Sequence, residues 1–139
     1  MASLIYNSLL EDIATGAVDL NTDTFKAMLV TDSYTADKDA HTKRSDVTGE
    51  AVGTGYTTGG ATVTATVTKY TATDRVDVVF SNPSWAASTI TARGLVIYKS
   101  RGGASSADEL VAYVDFGVNV ASTSGTFAVT LSSPLRFQN

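Results

Sequence analysis

Few residues in this sequence are equipped for chemistry. There is one histidine, His41, and there is no cysteine, which excludes thiolate zinc sites and cysteine nucleophiles. A Ser-His-Asp hydrolase would have to use His41 as its base. No Gly-x-Ser-x-Gly motif marks a nucleophilic serine at a strand-to-helix turn. We interpret His41 as a solvated loop residue and keep a small hydrolase that depends on it as a separate hypothesis.

The same loop offers oxygen and nitrogen ligands at alternate positions. Asp37, Asp39 and His41 could face one cation from an extended loop. The glycine and distal glutamate of an EF-hand do not follow Asp37 in register. We therefore favour a solvated acidic loop, predict no metal and no cofactor, and leave only a calcium ion bound in this loop as an open alternative.

Paired carboxylates for glycoside hydrolysis are a further hypothesis. Asp77 and Asp115 lie in predicted strands and could face one another. No aromatic-lined cleft is predicted around them, and acidic side chains at strand edges also discourage aggregation. We therefore interpret Asp77 and Asp115 as strand-edge residues that discourage aggregation, with Arg75, Arg93 and Arg136 as counter-charges. The sequence predicts no catalytic residues and no enzyme.

Composition limits the architecture and the partners. The chain has 139 residues, of which only 17% are charged, and about a quarter are Ser or Thr, as expected for a single, mostly β domain. Its net charge of -4 disfavours nucleic-acid binding. No apolar run reaches the roughly 18 residues of a membrane span. The first residues lack a cationic segment, and Glu11 and Asp12 interrupt the apolar stretch, so we do not expect them to be a signal peptide. We expect synthesis in a cytoplasm.

The elements that would position these residues are mostly short strands. An i, i+3, i+4 apolar pattern predicts a helix over residues 4–14, with Ser3 as N-cap and Gly16 as stop. Residues 32–58 form a long polar loop, which ends in the glycine-rich run 53–60 that lacks the Lys-Ser/Thr of a P-loop. Strands are predicted at 24–31, 61–68, 75–80, 90–99, 110–116 and 125–131, with a turn at Thr73-Asp74 and a break over 82–85.

This pattern predicts the fold class. Six or more short strands joined by turns indicate an all-β, jelly-roll-like antiparallel sandwich, with a short N-terminal helix and one long loop. The predicted organisation is a single domain over residues 1–139. Within it, residues 1–16 form an N-terminal helical arm and residues 32–58 the loop.

Several phrases of the sequence resemble a known family. They are Ala92–Lys99, Leu110–Gly117 and Gly125–Phe127, preceded in order by Asp19-Leu20, Asp23-Thr24, Ser33–Thr35 and Gly55-Tyr56. Through these segments the chain resembles the capsid cement, or decoration, proteins of tailed bacteriophages over nearly its whole length. It resembles most closely the cement proteins of short-tailed Bordetella phages.

The resemblance implies a virion structural protein with a jelly-roll fold and no enzymatic activity. It implies a homodimer that binds the outer surface of an icosahedral capsid, bridges major capsid protein subunits and stabilises the shell. No site residue is transferred from the family.

The contacts with such a shell are our own inference from the residue types. The N-terminal segment and the C-terminal residues 135–139 could reach neighbours as arms, and the long loop could become ordered at an interface. The predicted partner-binding residues are Ile5, Tyr6, Tyr34, Lys43, Arg44, Tyr56, Arg136 and Phe137. Exposed strand edges could also pair across a twofold axis.

Two other binding functions stay open. One is a different phage part, such as a tail, fibre-attachment or receptor-binding module. The other is a carbohydrate-binding β-sandwich in which Trp85, the only tryptophan, and exposed tyrosines stack on sugar rings.

Overall fold

The computed structural model describes residues 2–139, so Met1 lies outside the described residues. Its helix α1 spans Asn7–Thr15, and short 3-10 turns occur at Arg44–Asp46, Thr71–Thr73 and Ser105–Ala107. The strands are β1 (Leu4–Ile5), β2 (Phe25–Val30), β3 (Ala61–Val63), β4 (Ala65–Tyr70), β5 (Arg75–Phe80), β6 (Ser84–Lys99), β7 (Leu110–Ala128) and β8 (Leu135–Gln138).

These strands form two antiparallel sheets. The five-stranded sheet has the order β1-β7-β6-β2-β3, and the small sheet has the order β4-β5-β8. The all-β antiparallel sandwich with a short helix near the N-terminus, as predicted from the sequence, is confirmed.

The five-stranded sheet is apolar on both faces. In β2, Phe25, Ala27 and Leu29 point to one face, and Met28 and Val30 point to the other. The inner core lies between the sheets, where Phe25 meets Phe80 of β5 with ring centroids 5.6 Å apart. The loop-side core lies on the opposite face and contains Tyr6, Met28, Val30, Tyr34, Val96, Tyr98, Leu110 and Tyr113.

The long loop covers the loop-side core. Tyr34 is 3% exposed, and Ala36 and Val47 pack against the same cluster. The loop also binds the sheet through its backbone, since the Ala51 N–H donates to the Leu29 carbonyl at 2.9 Å. Residues 32–58 thus make ordered contacts with the five-stranded sheet of the same chain.

The N-terminal segment belongs to the domain and is not a free arm over its described residues 2–16. Leu4 and Ile5 form a strand with β7, and the helix starts three residues later than predicted, with Tyr6 rather than Ser3 at its N-cap. Leu9 is fully buried and Ile13 packs against the inner core, so the apolar stripe is a core face. Gly16 adopts the left-handed conformation that ends the helix, as predicted.

Three strand predictions needed correction. The predicted strand 61–68 is split at Thr64 into β3 and β4, which belong to different sheets. Trp85 lies inside β6 rather than in a break, because it pairs with Phe127 and is 6% exposed. The predicted strand 110–116 and residues 125–128 of the predicted strand 125–131 are parts of one strand, β7, which follows β6 through several register shifts, whereas residues 129–131 lie outside it.

The C-terminal residues also join a strand pair. Leu135–Gln138 form β8 and pair with β5, so they are not a free arm. The hairpin of β4 and β5 is present, and its turn places Asp74 in the left-handed region at a φ of 52°.

Gly60 provides a test of this packing. It has a φ of +81°, and a Cβ at this position would lie 1.8 Å from the Ala27 carbonyl oxygen. We expect Gly60→Ala to lower the free energy of unfolding by more than about 3 kcal/mol, since both backbone strain and a backbone clash arise. Gly102→Ala is the matched control, because Gly102 has a φ of +80° with nothing within 4 Å. It should cost only about 1–2 kcal/mol. Equal losses in urea unfolding would contradict the close approach.

Candidate functional site

His41 ends a chain of hydrogen bonds that leads into the loop-side core. The Asp37 N–H donates to His41 Nδ1 at 3.2 Å, so Nδ1 acts as an acceptor there. The Tyr34 hydroxyl therefore donates to the same nitrogen at 2.9 Å, and the Tyr6 hydroxyl donates to Tyr34 at 2.8 Å. These contacts tie the loop to the segment before α1. The partners of His41 Nδ1 are Tyr34 and Asp37 rather than a serine, so this nitrogen has a structural role.

The hydroxyls in this chain are held neutral. Burial and the hydrogen bond to Tyr34 raise the pKa of Tyr6 far above its usual range. Burial also raises the pKa of Tyr34. Neither phenol supplies a proton near neutral pH, and both act as fixed hydrogen-bonding groups.

The alternating acidic residues of the loop do not converge. Asp37 Oδ1 accepts the N–H groups of Asp39 and Ala40 at 2.9 and 3.0 Å, which lowers the pKa of Asp37. Asp39 Oδ1 accepts from the side-chain amide of Asn7. Over residues 2–139, no group of three His, Cys, Asp or Glu side chains is placed to hold a metal ion.

The basic pair of the loop is engaged within the chain. The Nε of Arg44 lies 2.8 Å from Asp108, and the Arg44 guanidinium lies over the Tyr98 ring at 5.1 Å. Lys43 Nζ lies 3.9 Å from Glu109. Asp108 and Glu109 are almost fully buried, and Glu109 also binds Arg101 at 2.6 Å, so removing Arg44 would take the cation from Asp108 whereas removing Lys43 would leave Glu109 paired. Lys43 and Arg44 therefore hold the loop against the start of β7.

Tyr56 and Trp85 also face inward. The Tyr56 hydroxyl accepts the Leu29 N–H at 3.0 Å and donates to Glu50 Oε2 at 2.7 Å. Burial and the bond to Glu50 raise the pKa of Tyr56 far above its usual range. Trp85 packs against Tyr56 and Phe127 at centroid distances of 5.8 and 6.1 Å, and its burial leaves no ring face free to stack on a sugar.

The two candidate carboxylates are in different sheets, and arginines bind each of them. Asp77 in β5 accepts hydrogen bonds from Arg136 Nε at 2.7 Å and from Arg136 Nη2 at 3.0 Å. The Nε of Arg75 lies 3.4 Å from Asp77 Oδ2. Asp115 in β7 accepts from Arg93 at 3.0 Å. The predicted counter-charges are confirmed, and the hydrogen bond from Arg136 lowers the pKa of Asp77.

The outward face of the small sheet presents a different kind of surface. Strand register places eight side chains on it: Thr66, Thr68, Tyr70, Arg75, Asp77, Val79, Arg136 and Gln138. Tyr70 and Val79 are 43% and 47% exposed, and the Arg75 guanidinium lies 4.7 Å from the Tyr70 ring centroid. We call this set the outer face.

The predicted partner-binding residues thus divide into two groups. Ile5, Arg136 and Phe137 keep substantial exposure, whereas Tyr6 and Tyr34 are buried and Tyr56, Lys43 and Arg44 form the internal contacts described above. Sequence reasoning missed Tyr70 and Val79. The available signal for Val79 was its alternation with the buried Val78 and Phe80 along β5.

Comparison with known proteins adds no relative. No protein-family model, curated protein or solved structure matches the chain. None of the helices over residues 2–139 has the length and apolar character needed to cross a membrane.

The hydroxyl chain can be tested by removing its central member. Tyr34→Phe leaves the buried Tyr6 hydroxyl without its acceptor and removes one of the two donors to His41 Nδ1, and we expect a loss of about 1–3 kcal/mol in unfolding free energy. Hydrogen exchange of residues 34–46 should accelerate. Tyr70→Phe, which deletes an exposed hydroxyl, should change neither measurement. Equal effects of the two substitutions would argue against the chain of hydrogen bonds from Tyr6 to His41.

The Arg136–Asp77 pair predicts a pH dependence. Because the pKa of Asp77 is lowered in the folded state, its stabilising contribution is present above the unfolded pKa near 3.8 and is lost as the pH falls. Asp77→Asn should therefore lower Tm at pH 7, and its difference from the wild type should shrink between about pH 4 and pH 2. Thermal melts by circular dichroism test this, and a pH-independent difference would be the contrary result.

Proposed function

We propose that this protein is a non-enzymatic virion structural protein. In this proposal it binds the outer surface of an icosahedral phage capsid, bridges major capsid protein subunits and stabilises the shell, and it acts as a homodimer. It is made in the bacterial host cytoplasm and remains on the virion. The sequence resemblance supports this function, and the outer face is the structural observation on which the proposed contact depends.

The composition of the outer face suits protein binding. Tyrosine and arginine are enriched at the energetic centres of interfaces, and the outer face presents Tyr70 and Arg136 together with the exposed Val79. Tyr70 and Val79 would lose water on docking. The threonine hydroxyls of β4 line the rim and can hydrogen-bond to a partner backbone.

The outer face is also rigid before binding. The bidentate pair between Arg136 and Asp77 joins β8 to β5, and Arg75 links the same carboxylate to the Tyr70 ring. Side chains that are already fixed lose less conformational freedom on docking. A preorganised surface can therefore bind with useful affinity over a small area.

Stabilisation of a shell follows from repetition. A small contact at each capsid protein is weak by itself, but a unit that contacts two subunits converts the second contact into an intramolecular event. Many copies around the shell then oppose the separation of subunits. This mechanism requires no covalent step, no metal and no cofactor.

The test is binding to heads from which the protein has been removed. Val79→Lys places a charge on the outer face beside Thr66, and we expect it to weaken binding by about tenfold or more in a co-sedimentation assay. Because Val79 is half-exposed, the fold should survive, as circular dichroism would verify.

Val52→Lys is the matched control, since Val52 is 85% exposed and lies in the long loop. It should bind as the wild type does. If the wild-type protein binds no heads, or is found only on tails, the cement function is wrong and a tail or fibre module takes its place. If Val52→Lys abolished binding and Val79→Lys did not, the contact with the head would lie in the long loop rather than on the outer face.

A further inference from the structure

The small sheet continues past the inner core at the end that carries its β4–β5 turn. Strand register places Lys69, Val76 and Phe137 opposite one another, on the face that also carries the buried Val78. The inner core includes Val78, but neither Val76 nor Phe137 packs against it. We call Lys69, Val76 and Phe137 the overhang row.

The overhang row lines an open cavity of about 600 Å³. Thr71 and Asp74 of the turn and Asn139 beyond β8 also line it, as do the next residues along the three strands. Ligand-binding cavities are usually about 300–1,000 Å³ and combine apolar walls with a few polar groups. This cavity has the size and the mixed lining of a binding site for a small ligand.

Phe137 gives the cavity an aromatic wall. Tyr70 and Phe137 are the only exposed aromatic residues over residues 2–139, and of the two only Phe137 belongs to the overhang row. Lys69 and Phe137 lie on the strands that flank β5, so their Cα atoms are about 10 Å apart. A ring that contacts Phe137 at about 4 Å fits in this gap, and its substituents reach Lys69.

The turn end of the cavity supplies hydrogen-bonding groups that the fold leaves unused. The side chains of Lys69, Thr71 and Asp74 are exposed, and none takes part in a hydrogen bond or ion pair within the described chain. The ammonium donates, the carboxylate accepts, and the hydroxyl does both. Because Lys69 and Asp74 have opposite charges, a charged ligand is attracted by one and repelled by the other, whereas neutral hydroxyl groups can bind all three.

We propose that this cavity binds a pyranose sugar of a glycan. The apolar face of the sugar ring stacks on Phe137, and the ring hydroxyls bind to Lys69, Thr71 and Asp74. The site differs from the sugar site expected at Trp85, whose ring is buried. Glycan binding is a function in addition to the proposed attachment to a capsid.

The two functions use opposite faces of the small sheet. Along each strand the members of the overhang row alternate with outer-face residues, so Phe137 points away from the outer face. A copy that is docked through its outer face therefore keeps Phe137 accessible. One sugar contact is weak, but many copies on one particle bind a glycan-coated surface together.

Amide NMR spectra of the isotope-labelled protein test the site. The probes are methyl β-glucopyranoside, methyl β-galactopyranoside and N-acetylglucosamine, each added up to about 100 mM, since a single contact of this size gives a Kd in the millimolar range. We expect saturable shifts with at least one of them, confined to residues 69–76 and 137–139. Sorbitol is the control ligand, because it carries hydroxyls on an open chain without a ring face, and it should cause no saturable shift.

Two substitutions of Phe137 form a matched pair. Phe137→Leu keeps an apolar side chain but removes the ring, and we expect it to weaken sugar binding by about tenfold. Phe137→Tyr keeps the ring and should bind as the wild type does. Circular dichroism verifies that both variants are folded. Lys69→Ala is the variant to use if Phe137→Leu does not fold, and it should also weaken binding, because it removes an exposed donor without breaking a contact of the fold.

Three results would overturn the inference. They are an absence of saturable shifts with all three sugars, shifts that sorbitol reproduces, and binding that neither Phe137→Leu nor Lys69→Ala weakens. The outcome is separable from the capsid role, since Val79→Lys should leave the sugar-induced shifts unchanged. A protein that binds heads but no sugar would contradict only this site.

Discussion

Strands β2 and β6 carry apolar side chains on both faces, so the five-stranded sheet needs a cover on each side. The small sheet and α1 cover one face, and residues 32–58 cover the other. The second cover is unusual because it is made of irregular chain. Its polar groups are satisfied by Tyr34, His41, Asp46 and the arginine contact to Asp108, which explains how such a long segment stays ordered.

This arrangement decides which surfaces are left for partners. The loop and helix side chains expected to make external contacts are largely used to cover the sheet, so they are unavailable without local opening. The outward face of the small sheet has no such duty, and Tyr70, Val79 and Arg136 on it remain exposed.

The sequence predicted the elements whose patterns are local. The β2 run is apolar on both faces, and the hairpin of β4 and β5 has a clear turn at Asp74. Gly16 marked the helix end. The middle of β7 could not be recognised, because Asn119 to Ser124 are mostly polar and only Val120, Ala121 and Ser122 among them pair with β6.

The candidate sites were harder to predict for the same physical reason. Tyr34, Lys43 and Arg44 have residue types common at interfaces, and those types equally suit a loop that packs on its own domain. Choosing between the two roles requires the tertiary partners, such as Asp108, which is 64 residues away from Arg44. The outer face was equally hidden, because β8 joins β5 from the far end of the chain.

Cryo-electron microscopy of intact particles tests the central claim most directly, since it shows location and contacts together. The account predicts density for this domain on the outer surface of the head, with the outer face of the small sheet against the major capsid protein at repeated positions. Density for the domain confined to the tail, or a head surface without it, would contradict the account.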